Sequence, residues 1–489
     1  MRRKSKNRKA ETQSVKEKKK TGNREIMVIT YSFVLIFFCL IGYLVYFMSV
    51  QSKDVINNSY NQRQSLLAQR VVRGKIYGSK GEVLAETITD EYGNETRNYP
   101  YGRMFTHVVG HSTQGKTGIE LSENFNLLTS NDNIVTNFQL KMANKKTKGD
   151  NVYTSLNVDL QKVAYEALGN YKGAIVVSEP STGKILAMVS KPDYDPNPSS
   201  LNVSWNSLVA DDGNSSCLLN RATQGVYPPG SIFKVFTALD YLKEHNGNDK
   251  NFSYTCSGTE SQDGFVVNCY HNHVHGTLDL KNAFAKSCNS CFAYLGTTLD
   301  MKSFKNACED LFFNKNLPTE FVYKKSSFVL DENSDKEEIM HTAMGQGKTQ
   351  ITPLHANMVV SAIANKGVMM KSYVVETLKS NQGSVVRKNK PKEYGAIMTE
   401  EEAEKLTEYM KEVISSGTAT SLSSLSYSVA GKTGSAEYDS TKNSHAWFIG
   451  FAPVEQPKIA ITVIVEEAGT GSEYAVPIAK KILQAYLGN

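Results

Sequence analysis

The chain contains a serine and a lysine three residues apart, in "YPPGSIFKVFTALDYL" (227–242). The prolines and Gly230 do not belong inside a helix, whereas "SIFKVFTALDYL" predicts one. Ser231 then stands at the helix start, with Lys234 nearly on the same face. Phe233, Val235, Phe236, Ala238 and Leu239 make the surroundings apolar, and burial there would push the amine toward its neutral form. A hydroxyl at the positive end of a helix, next to such an amine, is a nucleophile with its base. Taken alone, the pair is common and fits better a capping serine followed by a surface lysine.

Two further clusters shift that balance. "FAKSCNSCF" (284–292) sets Ser287 and Asn289 two residues apart, beside Lys286: a hydroxyl to relay a proton and an amide to hold a peptide carbonyl. "SVAGKTGSAEYD" offers Lys432 and Thr433 as a cation and a hydroxyl for a carboxylate. There Gly434 permits close approach to the backbone, and the N–H of Ser435 can face an oxyanion. The second and third clusters follow Ser231 by 56 and 201 residues, and the three contexts read as helix start, loop between helices, and strand.

Several elements must position these groups. "NVDLQKVAYEALG" predicts a helix capped at Asp159, and "GAIVVSE" and "KILAMVS" flank a "PSTG" turn as a hairpin. Near the C-terminus "YSVAGKTGSAEY", "HAWFIGFAP" and "KIAITVIVEEA" read as three more strands, followed by a helix opened by Pro477. The expectation is an α/β domain over 149–489: a five-stranded antiparallel sheet covered by helices, with a helical subdomain inserted. Residues 51–148 read as a small β-rich pedestal, with strands in "QRVVRGKIY" and "EVLAE" about a turn at Gly78–Gly81 and a linker at 143–150.

Charge and hydropathy define the remainder. Residues 1–25 hold eleven Lys/Arg and three Glu, so the net +6 of the whole chain is a basic tail and not a nucleic-acid-binding face. Residues 26–50, "IMVITYSFVLIFFCLIGYLVYFMSV", carry no charge and span about 37 Å as a helix, enough to cross an apolar core of about 30 Å. No small-x-small cleavage pattern follows, so a retained single-pass anchor is expected. The basic flank would stay cytoplasmic, with 51–489 outside the cytoplasm.

At this point the chain resembles the class B penicillin-binding proteins, membrane-anchored transpeptidases of peptidoglycan. Ser-x-x-Lys, Ser-x-Asn and Lys-Thr-Gly in this order are the shared signature of penicillin-binding proteins and serine β-lactamases. The resemblance extends through "RGKIYGSKGEVLA" (73–85), "RNYPYGRMFTHVVGHSTQGKTGIE" (97–120), "LNRATQGVYPPGSIFKV" (219–235) and "GQGKTQITPLHANMVVSAIANKG" (345–367). It implies that Ser231 is acylated by a D-Ala-D-Ala stem peptide, or by penicillin, with loss of the terminal D-Ala in the first case. It further implies Lys234 as base, Ser287 with Lys432 as proton relay, and Asn289 as substrate clamp. Thr433, Gly434 and Ser435 would bind the substrate carboxylate. The implied partner is a polytopic membrane glycosyltransferase reached through anchor and pedestal, and no cofactor is implied. Tyr77 stands where the family's "RGxIxD" box has an acid, and Ser435 where Thr is usual.

Neighbouring chemistries are a β-lactamase, a β-lactam sensor, a scaffold without catalysis and a D,D-carboxypeptidase. The anchor argues against the first, the 25-residue tail against the second, the complete reactive set against the third and the pedestal against the fourth, which stays chemically close because water need only replace the amine. Cys269, His271, His273 and His275 alternate in "CYHNHVHG", but a polar hairpin is the expectation and no metal site is assigned. Cys256 and Cys269, across a short polar loop, are candidates for a disulfide. Of the three Gly-Lys-Thr stretches, 115–118 is expected to make a structural pedestal contact and 345–350 to frame the site. Only 431–434 is expected to carry chemistry.

Overall fold

The computed structural model describes residues 2–48, 63–210, 216–438 and 441–488. They form two units, 1–65 and 66–489. In the first, helix α1 (Arg2–Tyr46) is continuous from the basic tail into the apolar segment. Its stretch Arg24–Tyr46 has a mean hydropathy of 2.4 and is long and apolar enough to cross a membrane. The basic tail is thus helical, and the end of the expected span at 49–50 lies outside the described residues.

The second unit opens with the pedestal strands β1 (Ile76–Tyr77), β2 (Val83–Thr89) and β3 (Glu95–Asn98), with β1 and β2 meeting about the expected turn. Strand β4 (Asn151–Thr154) pairs in parallel with β1, and strand Val375–Lys379 pairs with β4 on its other side. One six-stranded sheet therefore joins segments from both sides of the expected boundary at 148/149. The supposed linker is part of this join: Thr147–Lys148 pairs with Val71–Val72, and Gly149 lies against Leu127 and Gly74.

The covering helix α2 (Val158–Leu168) is capped by Asn157, whose side chain accepts from the Leu160 N–H, and not by Asp159. A cap must precede the helix for its oxygen to meet the third N–H, and Asp159 is already inside, paired on the surface with Lys80. Strands β5 (Gly173–Glu179) and β6 (Lys184–Lys191) form the expected hairpin. Helix α3 (Lys234–Glu244) follows Ser231. A small lobe then carries β7 (Tyr254–Cys256) and β8 (Gly276–Leu278) before α4 (Leu280–Ala285) and α5 (Asn289–Thr298). Helices α6 (Lys336–Met344), α7 (Pro353–Ala364) and α8 (Glu400–Ser415) lead to β9 (Ala430–Ala436), β10 (His445–Ala452) and β11 (Ile459–Val465). Helix α9 (Val476–Leu487) closes the chain with Pro477 in its first turn.

The main sheet has the order β9-β10-β11-β5-β6, antiparallel throughout, as expected for five strands split between the two ends of the domain. Every residue of "IAITVIV" in β11 is buried, because α7 packs on one face and α9 covers the other. That placement makes the C-terminal strands the centre of the sheet and leaves β9 as an edge strand facing the helical region.

In the pedestal a buried carboxylate organises the first Gly-Lys-Thr-Gly stretch. Glu120, just after it, receives Arg73 Nε at 2.6 Å and Arg97 Nε at 2.7 Å. Burial pushes its carboxyl up, but the two guanidiniums together outweigh burial and hold it below its usual range. His111 and Gln114, just before that stretch, bond Tyr194 and Asn202 beyond β6, and Thr117 Oγ1 lies 3.3 Å from His111 Nδ1, so 115–118 joins the structural contact expected of it. Removing one partner from a buried ion network strands the others. Glu120→Ala should therefore lower unfolding stability by about 3–5 kcal/mol, read as a shift in the denaturant midpoint.

Candidate active site

Ser231 enters the structure on a 3-10 turn, Gly230–Phe233, that runs directly into α3. Gly230 has φ +55°, and a Cβ there would stand 2.9 Å from the backbone of Ser435. Gly345, at φ +98°, caps α6 and lies so close that its Cβ would meet the Gly230 carbonyl at 1.8 Å. The turn, the edge strand β9 and the "GQGKTQ" segment thus converge at backbone distance, which only glycine allows. Gln346 adds a bond from Nε2 to the Ser435 carbonyl at 3.4 Å, so 345–350 frames the site from the end of α6.

The lysine side chains are wholly buried, whereas Ser231, Ser287, Asn289 and Ser435 are partly open. Lys234 Nζ lies 3.0 Å from Ser231 Oγ, 2.8 Å from the Ser287 carbonyl, 2.8 Å from Asn289 Oδ1 and 3.2 Å from Ser287 Oγ. Lys432 Nζ reaches Ser287 Oγ at 2.9 Å and the Thr433 carbonyl at 3.1 Å. The five groups form one connected path, from Lys432 through Ser287 and Lys234 to Ser231, with Asn289 beside it. Sequence placed them 201 residues apart; the fold brings them into contact.

Hydrogen-bond capacity sets the direction of this path. A neutral amine has two N–H groups and one lone pair. The Ser287 carbonyl and Asn289 Oδ1 can only accept, and they consume both N–H groups of neutral Lys234. Its lone pair is then left for the hydroxyl of Ser231. Asn289 is held in that orientation because its Nδ2 donates to the Asn268 carbonyl at 3.2 Å. Burial pushes Lys234 down to about 8, and burial followed by the charge of Lys234 holds Lys432 well below its ordinary value. Two amines linked through one hydroxyl in a dry pocket do not both hold a proton at neutral cost.

Ser287 sits between α4 and α5 at φ +56°, an uncommon conformation for a residue with a side chain. Thr433 is bonded to Thr418 through their hydroxyls, and the Gly471 N–H donates to Ser435 Oγ at 3.3 Å. Gly434 faces Ile232 and the Pro229 carbonyl at about 3.1 Å from where a Cβ would lie, so a side chain there would crowd the serine turn. All eight residues singled out from sequence therefore lie around one junction.

Supporting residues escaped the sequence reading. Glu466, at the end of β11, accepts from Arg221 Nε at 2.8 Å and from the Tyr227 hydroxyl at 2.7 Å. Trp447 Nε1 donates to the Pro228 carbonyl at 3.1 Å. These bonds fix the proline-rich approach to Ser231 against the sheet, and their members are separated by more than 200 residues. Tyr227 and Arg221 were visible only as part of "LNRATQGVYPPG".

The cysteines are also placed differently from expectation. Cys256 and Cys269 are free thiols with sulfurs 3.8 Å apart, far beyond the 2.05 Å of a disulfide. His271 and His273 are exposed, so the alternate-residue set in "CYHNHVHG" does not share one face. A left-handed turn at His271 breaks the extended backbone on which that alternation depended. Cys269 and His275 instead converge with Cys256 and Cys288, all four ligand atoms within 4.8 Å of one another.

Comparison with known proteins gives the class. Residues 173–484 match the penicillin-binding protein transpeptidase domain, and residues 73–152 match the penicillin-binding protein A dimerisation domain. The chain belongs to the penicillin-binding protein transpeptidase family, in its class B branch. It is 30% identical to the peptidoglycan D,D-transpeptidase PbpA of Mycolicibacterium smegmatis over 87% of this chain and 91% of that one. It is 28% identical to the D,D-transpeptidase MrdA of Acinetobacter baumannii, covering 80% of this chain and 66% of that protein. Among solved structures it is similar to penicillin-binding protein A from M. tuberculosis as its ceftriaxone acyl-enzyme, with TM-score 0.78 and 29% identity. That match covers 86% of this chain and all of the other.

A pH dependence follows from the amine geometry. Below about 8 Lys234 carries a proton and cannot accept one from Ser231, so covalent labelling by a penicillin should accelerate as pH rises through about 8 and then level. Stopped-flow acylation rates across pH 6–10 test this (roughly the range over which a shifted lysine titrates); a flat profile would remove Lys234 as base.

Proposed function

We propose that this chain is a peptidoglycan D,D-transpeptidase acting through a Ser231 acyl-enzyme. The observation that carries the reading is the chain of contacts from Lys432 through Ser287 and Lys234 to Ser231, in which the 3.2 Å approach of Lys234 Nζ to Ser287 Oγ becomes a hydrogen bond once Lys234 takes a proton. Ser231 Oγ attacks the carbonyl of the penultimate D-Ala of a stem peptide as Lys234 takes its proton. The oxyanion is held by the backbone N–H groups of Ser231 and Ser435, each such donor being worth about 3–4 kcal/mol in the transition state. The C–N bond then breaks. The departing D-Ala amine receives a proton from Ser287, and the proton that Lys234 took from Ser231 restores that hydroxyl, which Lys432 holds in place.

Thr433 and Ser435 bind the terminal carboxylate from the edge strand, with Gly434 keeping the strand open to it, while Asn289 clamps the peptide. An amine of a neighbouring stem enters next, loses its proton to the same path and takes the acyl group, closing the cross-link. A β-lactam acylates the same serine but keeps its leaving nitrogen tethered.

The relatives named peptidoglycan D,D-transpeptidase and the acyl-enzyme of the M. tuberculosis protein support this assignment. In this reading α1 anchors the chain with its basic end in the cytoplasm, and the catalytic unit works on the outer side of the membrane in cell wall synthesis. The pedestal and anchor engage a polytopic membrane glycosyltransferase, which supplies the glycan that this chain cross-links.

Fluorescent penicillin tests the serine directly. The wild-type chain should be labelled covalently and Ser231→Ala should not; label retained by the variant would sink the assignment. With a pentapeptide donor and an amine acceptor, a transpeptidase yields the coupled product, whereas D-Ala release without coupling would reassign it as a carboxypeptidase.

A further inference from the structure

The four-residue cluster of Cys256, Cys269, His275 and Cys288 lies behind the catalytic loop, and none of its side chains takes part in the path through Ser231. Zinc bound to thiolates at about 2.3 Å in a tetrahedron separates the sulfurs by about 3.8 Å. Cys256 and Cys269 are 3.8 Å apart, and Cys269 and Cys288 are 3.7 Å apart. His275 Nδ1, which would bind at about 2.0–2.1 Å, stands 3.3 Å from Cys256 Sγ. The thiols are buried, the imidazole is partly so, and each comes from a different segment.

The surroundings are those of thiolates rather than of packed thiols. Backbone N–H groups of Gly258 and Ser290 point at Cys256 and Cys269 sulfurs, at 3.4 and 3.5 Å. The buried hydroxyl of Ser290 lies 3.1, 3.3 and 3.4 Å from the sulfurs of Cys256, Cys269 and Cys288. Such second-shell donors hold and tune metal-bound sulfur. The lobe has little apolar core of its own, although Val267 packs against Ala293 and Met340. It consists of a two-stranded pair β7/β8 and a separate hairpin, and it leaves Val266, Tyr270 and Val274 exposed. Small units that cannot bury a core are commonly held by a metal.

We infer that Cys256, Cys269, His275 and Cys288 bind one zinc ion in a closed tetrahedral site that ties this lobe to the start of α5. Three sulfurs and one imidazole with no open position favour a structural zinc over a catalytic one. Cys288 lies between Ser287 and Asn289 and precedes the first residue of α5. The ion therefore fixes from behind the loop whose neighbours contact Lys234. Cys288 is thereby a positioning residue.

The test uses the full chain purified in detergent, with metal measured by elemental analysis independently of any labelling by penicillin. The expected result is one zinc per chain, lost in Cys256→Ser and in a Cys256→Ser/His275→Ala variant and retained in His275→Cys. Cobalt substitution should give the visible absorption of a tetrahedral thiolate site. Chelation should slow penicillin acylation at least tenfold, and zinc alone should restore it. A wild-type chain without stoichiometric metal, stoichiometric copper in place of zinc, or a Cys256–Cys269 disulfide in its unreduced mass would overturn the zinc site. Zinc release that leaves the acylation rate unchanged would overturn its positioning role. Failure of Ser231 labelling with zinc present would count against the transpeptidase reading alone.

Discussion

Two buried lysine amines sharing one serine hydroxyl are the constraint on which the rest of the structure depends. A charged ammonium in a dry interior is costly unless paired with an anion, and no carboxylate is bonded to either amine in the described residues. The available partners are carbonyls, an amide and hydroxyls. These stabilise an amine without neutralising it, so the equilibrium moves toward the unprotonated base. The same burial that keeps Lys234 neutral, and so able to accept a proton, at moderate pH also forces its surroundings to be rigid. An amine whose N–H groups are both committed directs its lone pair to one place.

Rigidity is supplied by close backbone approach. Gly230, Gly345 and the edge strand β9 touch where any side chain would intrude, and Ser287 holds a left-handed backbone between two helices. Arg221, Tyr227 and Trp447 tie the serine turn to the inner strands β10 and β11 of the main sheet. Each catalytic group is thus mounted on a different element: a helix start, an interhelical loop and a strand. The junction of the three creates the site, and no element carries enough of it to function alone. The Cys/His cluster extends this logic to the loop's far side.

The pedestal follows a related principle. Its sheet takes strands from residues 151–154 and 375–388, and its buried Glu120 links Arg73 with Arg97. A shared sheet transmits displacement as a unit, because slipping one strand breaks the ladder on both sides. The pedestal is therefore continuous with the catalytic region instead of being joined to it by a flexible segment, and the reading of 143–150 as a linker fails for that reason.

Much of the site was legible because its chemistry is local in sequence. Ser231 with Lys234, Ser287 with Asn289, and Lys432 with Thr433, Gly434 and Ser435 are each within four residues, and proline, glycine and apolar patterning mark the element bearing each. The five strands were readable from β-branched runs and turns, and the anchor from an uncharged 25-residue stretch. What the sequence could not carry was any pairing across long separations. The Lys432–Ser287 bond, the Glu466 support, the pedestal's borrowed strands and the meeting of Cys256 with Cys288 all arise when distant segments pack. The helix cap moved from Asp159 to Asn157 because a cap depends on backbone geometry that composition leaves open. By itself the sequence determined which groups could react and on what kind of element each would stand. The tertiary structure alone decided which of them touch, because contact between distant residues is set by how the sheets and helices pack.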